Sequence, residues 1–366
     1  IKEPLRTLSH ELTEALLEQK EKHPGMTIIV ITDPINTVYG SIRSPAFEML
    51  EAAGVRVVTT DLVRLPDSNP AYSVLWRLLV KPFGKSSRSR FRNPFDPVGK
   101  ISLRSYLEML NCKANHRKVV VCDDDATLTA LVTSANPHDA SSANSNVAVR
   151  FSGPAATDLL ASENAVLALS GHTVLAVPPV PVPTDPCNSV QVLTEGAIKT
   201  AALAIIDRAG AEAQIDIAAF YVSDRDIIAA LKRARRRGVR LRLVLDPNKD
   251  AFGYNKHGIP NRPAAAELRR AGIDIRWYHT HGEQCHIKML LAEDGQENAR
   301  LLLGSANLTR RNLGDFNLET NVLVEGERSS AAIRGARAYF DTLWHNREDR
   351  QYTEPYERYR DESLLK

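Results

Sequence analysis

The sequence has little of what a metal centre or a disulfide scaffold requires. It holds four cysteines, Cys112, Cys122, Cys187 and Cys285, with no CxxC and no Cys/His ligand spacing. That argues against a zinc site and against a disulfide framework in a chain of this length. It lacks an apolar run long enough to span a bilayer and shows no signal-peptide pattern. It also lacks a strong charge excess: the net charge of +3 neither requires nor excludes nucleic acid, so the local placement of basic residues carries more weight. With 366 residues, 43% hydrophobic and 25% charged, the chain can bury a large core as two domains or one two-lobed unit. It begins at Ile1 rather than Met, which leaves room for an upstream segment, a membrane anchor included.

What is present is a repeat. TIIVITDPINTVYG (27–40) resembles LRLVLDPNKDAFGY (241–254): a β-branched and leucine-rich run, Asp-Pro, an Asn, then an aromatic beside a Gly. Each copy follows a polar helical stretch, with Gly25 and Gly238 where a helix C-cap belongs. Each precedes a second helix and strand, PAFEMLEAAGVRVVTTD and PAAAELRRAGIDIRWYH. The alternation of helix and strand signals predicts an α/β fold of two similar lobes. The second lobe opens with an extra helix and the strand IDIAAFYV before a helix start at SDRD, where Ser223 and Asp226 fit a capping box. The first lobe has no counterpart, and the expectation is that an upstream segment supplies that strand. The expected boundaries are a first lobe at 1–176, a proline-rich linker at 177–187, a second lobe at 188–345 and a charged, solvated tail at 346–366. About fifty residues, roughly 62–112, are inserted in the first lobe before His116.

After each repeat comes the same constellation. His116, Lys118, an apolar run and Asp123 are followed by Ser134 and Asn136. His286, Lys288, an apolar run, then Glu293 and Asp294 are followed by Ser305 and Asn307. Strand alternation puts the His and Lys of each H-x-K on one face, and the apolar run predicts a buried strand. A returning strand brings Ser-x-Asn beside them. Such a set suits phosphodiester chemistry: one neutral imidazole attacks phosphorus, a second protonates the leaving alcohol, and lysines and asparagines stabilise charge on the non-bridging oxygens. No metal or other cofactor is needed for that scheme. A lone H-x-K would be coincidence; two copies in register with a longer repeat are not.

The paired motif resembles the HKD signature of the phospholipase D superfamily, and the likeness spans both lobes. The resemblance implies a pseudo-twofold α/β architecture with mixed sheets flanked by helices, one active site at the lobe junction and a phosphohistidine intermediate. It implies that Glu319, in GSANLTRRNLGDFNLE, is the carboxylate orienting a catalytic histidine. The same offset in the first lobe gives Asn146 and Ala148, so no partner carboxylate is expected there. Asp123, Glu293 and Asp294 take the place of the motif's acid, a mainly structural role. By the same analogy His116 attacks and His286 is the general acid.

The insertion bears on substrate. In NPAYSVLWRLLVKPFGKSSRSRFRNPF (69–95) an apolar cluster with Trp76, Leu79 and Phe83 is bordered by Lys85, Arg88 and Arg90. An apolar helix with a basic border fits an interfacial element facing anionic head groups. The basic run KRARRRGVRLR (232–242) reads instead as a solvated helix end. HRK with NPHDASS resembles the bacterial cardiolipin synthase-like and phosphatidyltransferase branch. The leading expectation is thus a membrane-associated phosphatidyltransferase or phospholipase, with a phospholipid substrate, an anionic membrane surface as partner and the bacterial cell membrane as location. Nucleic acid is not a required partner, and two internal lobes remove the need for an oligomer to complete the site. The alternative is a metal-independent nuclease, which should show basic residues tracking a backbone and aromatic stacking platforms.

Overall fold

The two halves of the chain carry corresponding strands but not equal sheets, and this decides where the core lies. The computed structural model describes residues 5–83, 91–93, 100–124, 127–177, 188–251, 254–255 and 257–360. The first half runs α1 (Leu8–Lys22), β1 (Ile29–Thr32), α2 (Pro45–Ala52), β2 (Arg56–Thr59), α3 (Pro70–Leu79), β3 (Phe91–Arg92), β4 (Lys100–Ile101), α4 (Leu103–Met109), β5 (Ala114–Asn115), β6 (Val119–Asp124), β7 (Thr127–Thr133), β8 (Ala148–Ser152) and α5 (Pro154–Leu169). The second runs β9 (Asn188–Thr194), α6 (Gly196–Arg208), β10 (Gln214–Ala219), α7 (Arg225–Arg236), β11 (Arg240–Leu245), β12 (Asp250–Ala251), β13 (Tyr254–Asn255), α8 (Asn261–Arg270), β14 (Asp274–Tyr278), β15 (Lys288–Glu293), β16 (Asn298–Gly304), α9 (Arg310–Leu313), β17 (Asn317–Leu318), β18 (Thr320–Glu327), α10 (Ala331–His345) and β19 (Thr353–Pro355).

The second half builds one mixed eight-stranded sheet in the order β19-β14-β11-β10-β15-β16-β18-β9. Its central strands read as near-continuous apolar runs because both faces are covered. Successive side chains point opposite ways. Ile217, Leu243, Leu245 and Leu290 pack with Ile206, Leu231 and Leu268 of α6, α7 and α8. Val244, Met289 and Leu291 pack on the other side with Phe340 of α10 and with Leu128, Val132 and Leu159 of the first half. This second cluster joins the halves.

Among the described residues the first half holds three separate sheets, a parallel β1–β2 pair, a short antiparallel β3–β4 pair and an antiparallel β6-β7-β8 sheet. In the second half β10 links the equivalent strands into one sheet; β1 has no such neighbour among the described residues. The buried strand expected after each H-x-K is therefore found in full only at β15. In β6, Val119 and Val121 pack on the shared core while Val120 is 53% exposed.

Three local expectations are corrected. The cap of α7 is Asp224, whose carboxylate accepts from the N–H groups of Asp226 and Ile227; Ser223 lends its own N–H to the Leu308 carbonyl. Gly238 closes α7 with φ 96°, but α1 closes at His23, before Gly25. The tail is not wholly solvated: Thr353–Pro355 forms the edge strand β19, and the Trp277 indole donates to the Tyr356 carbonyl at 2.7 Å with the rings stacked. Tyr356 packs into the apolar core, and buried Thr353 donates its hydroxyl to the Leu343 carbonyl at 2.9 Å, which holds this segment down. Residues 178–187 of the linker lie outside the described residues.

In the insertion, Pro70 starts α3 and the helix turns one face inward. Ser73 Oγ donates to Asn111 Oδ1 at 2.9 Å, and Trp76 on the same side is only 6% exposed. The expectation that Trp76 meets a membrane is thereby corrected: its side chain is buried. The outer face carries Val74, Leu75, Leu78 and Leu79, each 48–68% exposed. Leu103, Tyr106 and Leu110, on and just after α4, are also exposed. Lys85, Arg88 and Arg90, and the side chain of Phe83, lie outside the described residues. No helix among the described residues is long and apolar enough to cross a membrane.

Candidate active site

Strand β5 lies parallel to β17, so that Asn115 faces Leu318, and His116 N–H donates to the Leu318 carbonyl at 2.8 Å. The pairing carries the first half's histidine onto the second half's carboxylate. His116 Nδ1 stands 2.9 Å from Glu319 Oε2. Across the site, Ser145 bridges to Cys285, and His286 Nδ1 stands 3.2 Å from Asn146 Oδ1. Each histidine is thus backed by the opposite half, and the four residues meet where the halves join.

The two serines fix the equivalence of the backing residues. Ser305 Oγ donates to Glu319 and accepts from the Thr320 N–H at 2.9 Å. Ser134 Oγ donates to Asn146 Oδ1 and accepts from the Val147 N–H, both at 3.0 Å. Asn146 therefore stands where Glu319 stands, and Ala148 does not: the segment between serine and backing residue is two positions shorter in the first half. The residue standing behind His286 is a neutral amide. Both serine hydroxyls are buried and engaged behind the histidines.

Each lysine Nζ donates to the carbonyl of its own histidine, Lys118 at 2.7 Å and Lys288 at 2.8 Å. Asn307 is buried with its Oδ1 unpartnered among the described residues, a free acceptor at the second half's Ser-x-Asn. Asn136 is half-buried, and its carbonyl accepts from the His138 N–H at 2.8 Å, as the Asn307 carbonyl does from Thr309. The acids of the motif lie at the far ends of their strands. Asp123 is exposed, Glu293 is buried against Arg328 and Arg337, and Asp294 caps a turn at the Gln296 N–H.

Burial is the largest influence on the charges here. It pushes His116 below the usual imidazole range, aided by Lys118 and Lys288, although Glu319 pulls the other way. It pushes His286 further down, with Lys288 and Lys118 adding to the effect. It brings Lys118 down to about 8, with Glu319 and Asp33 opposing, and Lys288 well below its ordinary value. Burial alone would raise the Glu319 carboxyl; His116, Lys118 and the Ser305 hydroxyl outweigh it and hold it at about 2. One imidazole therefore has an anion behind it and the other a neutral amide.

Several participants carried no signal that spacing could reveal. Asn312 donates to Glu319 Oε1 from α9. Arg117, the middle residue of His-Arg-Lys, is bound by Glu163 at 3.0 Å and Glu195 at 2.8 Å, and Glu195 also accepts from the Glu319 N–H. Phe220 sets its ring 5.1 Å from that of His286 and 5.3 Å from Lys288 Nζ.

Residues 203–344 match the family described as cardiolipin synthase, PLD-like domain. The chain carries a phospholipase D-like domain. That match covers the second half of the site, with His286, Lys288, Asn307 and Glu319 inside it. No curated protein matches the sequence. Among solved structures, phosphatidylserine synthase from Haemophilus influenzae is 12% identical, with a TM-score of 0.51 over 95% of this chain and 85% of that one. Nuc, a phospholipase D family member from Salmonella typhimurium, is 22% identical, with a TM-score of 0.35 over 46% of this chain and 99% of that one. The yeast tyrosyl-DNA phosphodiesterase is 10% identical, with a TM-score of 0.42 over 81% of this chain and 76% of that one. At such identities the likeness to the phosphatidylserine synthase is one of fold, and it extends over nearly the whole chain.

Proposed function

We propose that this chain is a metal-independent phosphatidyltransferase or phospholipase D acting on membrane phospholipids, with cardiolipin synthase-like transfer to an alcohol acceptor as the favoured reaction. The observation that carries the chemistry is the unequal backing of two facing histidines, Glu319 behind His116 and Asn146 behind His286. A carboxylate at Nδ1 holds that proton in place, leaves Nε2 of His116 free and offsets the positive charge that grows on a ring bonding to phosphorus. In the scheme, His116 Nε2 forms a bond to phosphorus and the phosphorus–oxygen bond to the leaving alcohol breaks. His286 gives its proton to that oxygen. The acceptor alcohol then gives its proton to His286 and attacks phosphorus, and the bond to His116 breaks. Lys118 and Lys288 balance the non-bridging oxygens. Burial holds His286 low and the charges of Lys288 and Lys118 add to it; the anionic diester offsets the lysine part, which favours the protonated form once substrate is bound.

The lipid part of the reading is supported by the exposed face of α3, Val74, Leu75, Leu78 and Leu79, by the exposed Leu103 and Leu110, and by the description of the matching family. Contiguous exposed leucines fit an interfacial contact with an anionic bilayer. The test is mass spectrometry of products from phosphatidylglycerol vesicles in EDTA, beside a His116→Ala control. Cardiolipin plus glycerol, absent from the control, supports transfer. Phosphatidic acid supports hydrolysis. No lipid product together with cleavage of single-stranded DNA overturns the lipid reading in favour of a nuclease.

A further inference from the structure

Each histidine motif is anchored from behind by an aspartate to which neither motif nor family match assigns a role. Asp33 follows β1 and Asp246 follows β11; both are the Asp of the repeated Asp-Pro, and both are buried. Asp33 Oδ1 accepts from the Ile35 N–H at 2.7 Å, while Oδ2 accepts from the Asn115 N–H at 2.5 Å. Asp246 Oδ1 accepts from the Asn248 N–H at 2.7 Å, while Oδ2 accepts from the Cys285 N–H at 2.8 Å. Asn115 and Cys285 are the residues immediately before His116 and His286. The same device thus occurs twice: one carboxylate oxygen fastened to its own turn, the other to the peptide that leads into a histidine.

We infer that Asp33 and Asp246 are positioning residues, each aiming one imidazole by clamping the backbone one residue before it. The carboxylate is suited to this because it offers an acceptor on each oxygen, and charge-assisted bonds to N–H groups are strong. An amide of the same size offers one acceptor, and its NH2 group meets an N–H on the other side. The charge of each aspartate also acts on the lysine of its own half, Asp33 on Lys118 and Asp246 on Lys288. The inference rests on the phosphohistidine reading, because that reading gives the two histidines different tasks and therefore gives the two aspartates different signatures.

The experiment compares Asp33→Asn and Asp246→Asn on two soluble probes, bis(p-nitrophenyl) phosphate and diphenyl phosphate. p-Nitrophenolate leaves without a proton; phenolate needs one. If Asp246 aims the proton donor, Asp246→Asn slows diphenyl phosphate by about a hundredfold, the low end of general-acid contributions, and bis(p-nitrophenyl) phosphate by less than about threefold. Asp33→Asn slows both probes by one common factor, because attack is needed for each. Thermal melts report the folded fraction. Should an asparagine variant not fold, the Asp→Ser variant, with one acceptor and no amide donor, takes its place. The inference is overturned if Asp246→Asn slows both probes equally, or if neither variant slows turnover of folded protein. Neither probe is a lipid, so a failed lipid reading leaves the comparison intact.

Discussion

Replacing Glu319 by Gln keeps the side-chain volume, removes one negative charge from behind His116 and leaves one acceptor oxygen where the carboxylate has two. Glu319 is fully buried and takes donors from His116, Ser305 and Asn312, so the volume is kept and the fold retains its packing. A full positive charge on His116 interacts with the carboxylate at 2.9 Å by about 6 kcal/mol at an effective dielectric of about 20. A transition state that has built half the charge on the ring gains about 3 kcal/mol, so the variant should lose about a hundredfold in kcat. In the proposed scheme the lysines and asparagines hold the substrate, so KM should move little, which is the mark of an interaction made in the transition state. The assay is steady-state turnover of bis(p-nitrophenyl) phosphate, with thermal melts to report the folded fraction. A Glu319→Gln protein that keeps kcat within about twofold of wild type would refute the reasoning. The reciprocal variant, Asn146→Asp, places a carboxylate behind His286 and should raise that imidazole's pKa, moving the pH profile and not the fold.

Four further outcomes follow from the same charges and surfaces. The profile of kcat/KM against pH should be a bell: neutral His116 is lost as pH falls through its lowered value, and charged Lys118 is lost as pH rises through about 8. Lys118→Met should abolish turnover yet stabilise the fold by up to about 3 kcal/mol at pH 7, measured by urea unfolding, because a buried lysine titrating at about 8 rather than 10.5 costs the native state while it is charged. The sign is checkable in the wild type: the unfolded chain holds the proton between those two values, so stability should rise with pH through that window. Arg117→Ala should destabilise by about 3–5 kcal/mol in the same assay, since it leaves Glu163 and Glu195 together without a cation. Replacing Leu75, Leu78 and Leu79 together by Ser should weaken sedimentation with anionic vesicles by about a hundredfold, from about 1 kcal/mol for each leucine, and leave turnover of the soluble diester unchanged.

The sequence by itself determined the candidate site residues and the class of fold. His116, Lys118, His286 and Lys288 were legible because a duplicated pattern is improbable by chance. The α/β class was legible because strands buried on both faces, such as RLRLVL and KMLLAE, are short, apolar and followed or preceded by helical periods. Glu319 was named through the family likeness, and the structure seats it against His116. The Asp-Pro repeat was visible too, but not its use, since nothing in a sequence says that a carboxylate after β1 reaches an N–H eighty-two positions away at Asn115. Tertiary structure alone decided the rest. It set Asn146, and not Ala148, behind His286, because a connection two residues shorter shifts the register. It turned Trp76 inward and the leucines outward, a choice between two apolar faces of α3 that composition cannot make. It joined Arg117 to Glu163 and Glu195, and the end of the chain to Trp277, through contacts between residues remote in sequence. Local patterns are written by periodicity, which a single chain displays; partners across a fold are set by three-dimensional packing, which only the folded chain reveals.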